Sequence, residues 1–393
     1  NRWKEDFDLL ENLGVNSYRF SISWPRVVQS DLKQVNQKGI EYYDKIVDDL
    51  LSRNIDPFVT LNHWDIPQKF QDKGGWVERE SIKYFLDYVD IITNKLGDRV
   101  KNWITHNEPW IIAYLGYNEG THAPGQRSLQ KTLAVNHHLL LSHGLSVPII
   151  RENSKNSQVG IALNLTPAYP ASSSKADREA AKLFDEQFNA WYLDPLYGKK
   201  YPKNIIECWK DSGELKNDFD FIQDDDFKAI AEPTDFLGVN YYSRAIIRCS
   251  KTDIHNNLPI EIVPGEKTKF DWEVFPEGLE ELLIRIKKDY SPESIYITEN
   301  GASYDYNVQE MEKIDDTKRI EYLESHIHAC KGAIEQGVPL RGYFCWSLMD
   351  NFEWAEGLNH RFGLIHVDFD TQKRIPKRSY KWYRKFLQDE INI

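Results

Sequence analysis

Two hydrophobic rhythms alternate along this chain. Short apolar or alternating runs mark strands at Ser17–Trp24, Pro57–Trp64, Val100–His106, Val159–Leu165, Phe236–Tyr242, Ile295–Thr298 and Leu340–Trp346. Between several of them the apolar residues fall three or four apart, the spacing of one helix face. Ile40, Tyr43, Val47 and Leu50 follow a candidate cap at Asn36; Ile82, Phe85, Val89, Ile92 and Leu96 stop at Gly97; Ile320, Leu323, Ile327, Cys330 and Ile334 stop at Gly337. Each of these helices presents one apolar stripe to a sheet.

The chain also opens on a helix, because Trp3, Phe7, Leu10 and Leu13 lead up to Gly14. Strands and helices in alternation predict a parallel α/β fold. Seven strands behind a leading helix match a (β/α)8 TIM barrel whose first β-strand is absent from the chain. An open doubly wound sheet is the competing architecture. It normally carries a Gly-rich phosphate loop, and neither GxGxxG nor GxxxxGK[ST] occurs here. No short repeat, low-complexity tract or Pro/Ser-rich linker interrupts the series, so residues 1–393 are expected to form a single barrel domain.

Composition narrows the function classes. With 49 Lys and Arg against 61 Asp and Glu, the formal charge is −12, and no basic run offers a nucleic-acid footprint. No apolar run approaches the ~18 residues of a membrane span. Cys208, Cys249, Cys330 and Cys345 are far apart and form no CxxC pair, so they read as reduced core thiols, which favours the cytoplasm. His137, His138 and His143 lack the HExxH spacing of a zinc helix and read as polar-face or core residues. The triplet Asp224-Asp225-Asp226 reads as a solvated loop. Neither metal nor cofactor is expected.

In a barrel the chemistry lies at the carboxyl ends of the strands. Those ends carry Trp24, His63-Trp64-Asp65, Asn107-Glu108-Pro109-Trp110, Asn240-Tyr241-Tyr242, Glu299 and Trp346. Two carboxylates on different strands, Glu108 and Glu299, surrounded by aromatic and amide side chains, suit glycoside hydrolysis. One carboxyl protonates the leaving oxygen; the other attacks the anomeric carbon or activates water. Aromatic rings pack on the apolar faces of sugars, and amides and carboxylates bind hydroxyls. Taken singly, either Glu could instead be a structural ion pair.

The motifs Thr105-His-Asn-Glu-Pro109 and Ile297-Thr-Glu-Asn-Gly301 resemble the acid/base and nucleophile motifs of glycoside hydrolase family 1, the β-glucosidase family. The similarity extends through Tyr18-Arg-Phe-Ser-Ile-Ser-Trp-Pro-Arg26, Val59-Thr-Leu-Asn-His-Trp-Asp65, Gly74-Gly-Trp76, Gly97-Asp-Arg-Val100, Gly238-Val-Asn-Tyr-Tyr242 and Trp346-Ser-Leu-Met-Asp-Asn-Phe-Glu-Trp354. It covers essentially the whole chain, in order.

The resemblance implies a retaining mechanism with Glu299 as nucleophile and Glu108 as acid/base, their carboxyls roughly 5–5.5 Å apart. Arg19 and Tyr242 would hold Glu299 ionised and oriented. His63, Asn107, Glu353 and Trp354 would bind sugar hydroxyls, and Trp346 would floor the ring. Phe362 would line the same pocket, Asn240 and Trp64 would stand beside it, and Trp110 would begin the platform for the leaving group. Glu353-Trp354-Ala355 departs from the Ser and Lys-x-Tyr groups with which relatives hold 6-phosphates. The implied substrates are therefore unphosphorylated β-glucosides or short oligosaccharides, with β-galactosides or β-fucosides as side substrates; a 6-phospho-β-glucosidase is the weaker alternative.

The chain also departs from the family pattern in places. The family's first strand and its sugar-contacting Gln are missing, which predicts two unpaired strand edges and a hole beside the sugar site. A catalytically impaired barrel that only binds sugar is the rival this raises. His106 stands where many relatives have Phe, and Val28–Gln34 lacks a Pro-x-Gly element.

Overall fold

The computed structural model describes residues 2–28, 34–217, 219–249, 265–306 and 314–389. Seven strands form one parallel sheet: β1 (Ser17–Ser21), β2 (Asp56–Asn62), β3 (Asn102–Asn107), β4 (Gln158–Asn164), β5 (Phe236–Asn240), β6 (Ile295–Asn300) and β7 (Leu340–Cys345). They neighbour one another in chain order, so the sheet curls as a (β/α)8 barrel does. All seven lie where the hydrophobic pattern places strands.

Helices pack outside the sheet: α1 (Trp3–Leu13), α2 (Gln37–Ser52), α3 (Ser81–Leu96), α4 (Leu129–Asn153), α5 (Pro276–Tyr290), α6 (Thr317–Glu335) and α7 (Arg378–Leu387). Phe7, Leu10 and Leu13 form the buried face of α1, which ends where Gly14 turns left-handed at φ 87°. Asn36 does precede α2, but its side chain does not cap the helix. Its Nδ2 donates to the Arg26 carbonyl at 2.9 Å and ties the preceding loop to the helix start.

Inside the curl, Phe58 meets Phe344 at 4.9 Å, Tyr296 at 5.2 Å and Phe236 at 6.3 Å between ring centroids. Rings from four strands thus close the barrel interior. Above them, toward the carboxyl ends, the interior turns polar with Arg19, Thr60 and Thr298.

Three expectations about strand ends change. β1 stops at Ser21, and Trp24 begins a short helical turn. Trp24 is buried against Phe70, Trp76, Phe85 and Tyr88, away from any site, because a large apolar ring gains more from that core than from a polar mouth. β6 runs two residues past Thr298, so Glu299 is a strand residue. Asn300, expected in a turn, is fully buried; it donates to the Tyr241 carbonyl at 2.7 Å and accepts from Tyr343 at 2.5 Å. Gly301 follows because the Trp346 carbonyl lies where a Cβ would stand, 1.8 Å away.

Two small ladders were not evident in the pattern: Ala168–Pro170 with Ala245–Ile247, and Ile365–Val367 with Arg374–Pro376. The departure at Val28–Gln34 falls mostly outside the described residues. Among the described residues β1 and β7 are the sheet's two edges. A cavity of about 730 Å³ is lined by Leu13, Tyr18, Phe20, Tyr343, Phe344 and Tyr383.

Candidate active site

Glu299 stands at the end of β6 with a partner on each carboxylate oxygen. Arg19 of β1 donates to Oε1 at 2.7 Å, and the Tyr242 hydroxyl, just past β5, donates to Oε2 at 2.8 Å. Arg19 has no rotational freedom left, since it also reaches the Thr298 carbonyl, Thr60 Oγ1 and, at 2.6 Å, Asn107 Oδ1. This ion pair is nearly shut off from solvent on both sides, so its charge-assisted hydrogen bonds are strong and directional. Burial, with Glu299 and Glu108 close by, pushes the Tyr242 phenol well above its ordinary range, so it remains a donor.

Glu108 follows β3 and takes a left-handed backbone, φ 49°. Such a conformation costs a side-chain-bearing residue roughly 1–2 kcal/mol. The bulky residues that share it, Trp64 at 79° and Trp354 at 43°, line the same cavity. Backbone strain therefore gathers at the barrel mouth, as it does at functional sites. The Glu108 amide is fixed on the Ala162 carbonyl at 2.8 Å.

Its carboxyl is set by Asn240 at the end of β5. Arg19 can only donate, so the Asn107 atom it meets is the oxygen, and the Asn240 atom 3.0 Å from that oxygen must be the amide nitrogen; Asn240 Oδ1 is then free to accept from Thr298 Oγ1 at 2.6 Å. Asn240 Nδ2 then points at Glu108 Oε1, 2.8 Å away, and at Asn107 Oδ1. Burial raises the Glu108 pKa well above the usual carboxylate range, the charge of Glu299 raises it further, and the Asn240 hydrogen bond opposes both only in part.

The remaining candidates surround a cavity of about 650 Å³ that holds both carboxylates. Trp346, His63 and Trp354 stack in series, with His63 6.0 Å from each tryptophan, and Trp64 lies 4.7 Å from Trp354. The Trp346–Ser347 peptide bond is cis. Burial and the Arg19 charge lower His63 to a pKa of about 3, so it is neutral. Burial, then Glu299 and Glu356, push Glu353 up to about 7. Phe362 and Trp110 also line the wall.

Asn107 is placed differently from the others. It is fully buried beneath the wall, where its carboxamide joins Arg19, Asn240 and His63 and its backbone carbonyl accepts from Trp64 Nε1 at 3.0 Å. His63, Trp346, Glu353 and Trp354 border this cavity and also the one between β1 and β7, so the two spaces meet at these four residues.

Several wall residues carried no signal in the strand pattern: Phe184, Phe188, Phe270, Trp272 and His122. They come from segments between strands, Phe184 and Phe188 from a helix and the wide turn that follows it, where no strand end marks them. Phe184 and Phe188 are spaced four apart, which a helical reading of that segment would have put on one face.

Outside the site, the histidines of α4 are core residues. His143 contacts Thr105 at 2.7 Å, His138 the Trp76 carbonyl at 2.9 Å and His137 Asp226 at 2.8 Å. Asp226 is therefore no solvated loop residue. It is buried against Arg79 and His137, whose hydrogen bonds outweigh the effect of burial and hold its pKa at about 2. Cys249 is exposed rather than core, while Cys330 is buried. Among the described residues no group of three or more His, Cys, Asp or Glu is placed to hold a metal ion, and no helix is long and apolar enough to cross a membrane.

Known proteins are similar to this chain along nearly its whole length. β-Glucosidase A of Acetivibrio thermocellus is 43% identical over 391 residues, covering 99% of this chain and 86% of that enzyme. β-Glucosidase A of Thermotoga maritima is 44% identical over 393 residues, with the same coverage. The solved structure of the family 1 β-glucosidase from Thermotoga maritima superposes with a TM-score of 0.94 at 41% identity, covering 100% of this chain and 87% of that one. Another structure of that enzyme, in complex with deoxynojirimycin, gives 0.94 at 42% identity. The model of glycosyl hydrolase family 1 matches residues 1–391, and the chain belongs to that family.

Proposed function

We infer that the protein is a retaining β-glucosidase acting on unphosphorylated β-D-glucosides, with Glu299 as nucleophile and Glu108 as acid/base. The observation that carries the residue roles is the asymmetry of the two carboxyls. Glu299 is gripped by Arg19 and Tyr242 and so suits an anionic nucleophile. Glu108 is buried and faces that anion, both of which raise its pKa well above the usual carboxylate range, so it suits a general acid.

In the first step Glu299 attacks the anomeric carbon as the bond to the leaving oxygen breaks, and Glu108 gives that oxygen its proton. A glycosyl ester on Glu299 results. The ester carries no charge, so the contribution that the Glu299 anion added to the effect of burial on the Glu108 pKa is gone. Glu108, now ionised, takes a proton from water, the water oxygen attacks the anomeric carbon, and the Glu299 carboxylate leaves. Configuration is retained after two inversions.

Trp346 and His63 offer ring faces to the sugar, and Glu353 offers acceptors to its hydroxyls. A carboxyl at Glu353 disfavours a phosphate dianion there, which supports neutral sugars. One relative, from Bifidobacterium breve, is named a bifunctional β-D-glucosidase/β-D-fucosidase, and we extend that breadth to this chain as side activity.

Exchange of the two glutamates tests the roles. Glu299→Ala should abolish hydrolysis of an aryl β-glucoside, with added azide restoring cleavage to the inverted α-glucosyl azide. Glu108→Ala should spare activated leaving groups, and azide should then give the β-glucosyl azide. Near-native rates in both variants would reject the assignment.

A further inference from the structure

We propose that Phe184 and Phe188 form an outer leaving-group site that selects β-glucosides carrying an extended or flat apolar aglycone. The proposal rests on Glu108 being the acid, because the acid must face the leaving oxygen and so fixes the side on which the aglycone lies.

Trp110 lies two residues beyond Glu108 and begins a row of four rings. Tyr114 stacks on Trp110 at 5.1 Å and 8°, Trp110 meets Phe188 at 4.5 Å and 37°, and Phe188 stacks on Phe184 at 5.3 Å and 10°. Tyr114 is buried, but Trp110, Phe188 and Phe184 are only partly covered, and all three border the cavity that holds Glu108. The row therefore leads away from the acid toward the mouth.

The two phenylalanines stand on a rigid support. They are one turn apart where the helix Lys175–Asp185 passes into the wider turn Glu186–Ala190. Their immediate neighbours anchor that join. Asp185 takes both guanidinium nitrogens of Arg285 on α5, one at 2.6 Å, and also accepts from Asn189 at 2.7 Å. Asn189 brackets Thr166, accepting from its amide at 3.0 Å and donating to its carbonyl at 2.8 Å. Residues 185 and 189 thus serve the scaffold while 184 and 188 face the cavity.

The same cavity wall carries aliphatic groups and, at Asn164, Thr166 and Ser243, polar ones. Leu165 and Ile246 border it. Arg244 does too, but it is held bidentate by Glu273 at 2.7 and 2.9 Å, so neither charge is spare for a ligand. Ring faces and aliphatic groups bind an aryl or alkyl group by burying apolar area; they offer little to the hydroxyls of a second sugar.

Methyl and octyl β-D-glucoside separate this site from the chemistry, since both release a primary or near-equivalent alkanol and differ mainly in aglycone reach. The Phe184→Ala/Phe188→Ala variant should lose on the order of tenfold in kcat/KM for octyl β-glucoside. Methyl β-glucoside should stay within about twofold, and cellobiose should fall less than octyl β-glucoside. Phe184→Leu/Phe188→Leu, which keeps apolar volume, should recover most of the octyl activity.

Equal losses on methyl and octyl β-glucoside, or no loss on either, would overturn the proposal. So would a larger loss on cellobiose. Glu108→Gln is run beside these variants on methyl β-glucoside. If it retains full activity, the acid assignment fails; if it is inactive while the phenylalanine variants do not discriminate, only the outer site fails.

Discussion

At the scale of single residues, the site depends on unequal treatment of two like groups. Glu108 must be protonated to act, and its pKa is raised by burial and then by the charge of Glu299. Activity should therefore persist above the pH at which an ordinary carboxyl ionises and fall as pH rises through that elevated pKa. Glu299→Gln removes the neighbouring charge but not the burial, so the Glu108 pKa should drop while staying above the ordinary ~4.3. Titration of carboxyl-labelled glutamate by 13C NMR checks this, and an unchanged Glu108 midpoint would show that the two carboxyls do not interact. Both carboxylates were legible in the sequence because barrel strands bring their ends to one mouth. Asn240 was legible only as a neighbour; its role as the donor to Glu108 depends on Arg19, which fixes the Asn107 oxygen that Asn240 Nδ2 must also face. His106, which replaces an apolar ring common in relatives, keeps the ring's packing by stacking on Phe85 at 4.6 Å and satisfies Nε2 with Ser142 at 2.8 Å.

At the scale of elements, the strands could be read because each is a compact apolar run, and the regular helices because each buries a single stripe. Less could be read between β4 and β5. That segment contributes to the cavity through a short helix and a wide turn, held by side-chain pairs such as Asp185 with Arg285. Pairs of that kind have no periodicity to reveal them. The junction of β6 and β7 shows how closely elements must approach for the site to form. The Trp346 carbonyl occupies the space above the Gly301 Cα, and the neighbouring Trp346 amide donates to the Asn300 carbonyl at 2.9 Å. Gly301→Ala would force these backbones apart, at an overpacking cost of about 1–3 kcal/mol. The displacement would fall directly on Trp346 and, next along β6, on Glu299. A misplacement of that size should cost on the order of a hundredfold in kcat/KM. Urea denaturation and steady-state kinetics on the same variant measure both effects; native kinetics would mean that the two strand ends move independently of the site.

At the scale of the whole molecule, the curled sheet has two unlike halves. β2 to β6 each have a parallel neighbour on both sides, whereas β1 and β7 each have one among the described residues. Arg19 of β1 and Trp346 after β7 both serve the site, so its two flanks belong to the strands with the fewest main-chain partners. The cavity of about 730 Å³ between them is bordered by main-chain-rich positions from Ser17 to Ser21 and from Tyr343 to Trp346. Amides there that point into the seam have no ladder carbonyl to hold them, and protection from exchange follows local opening. In the 393-residue chain, native-state hydrogen exchange should therefore be faster at the seam-facing amides of β1 and β7 than in β3 and β4. Binding a deoxynojirimycin-type glucose mimic should slow exchange on both flanks together, because Arg19 reaches Glu299 from one and Trp346 packs on His63 from the other. Uniform protection across all seven strands would show that the seam-facing amides are held by partners other than a ladder among the described strands, and protection of one flank alone would show that the site does not couple the two edges.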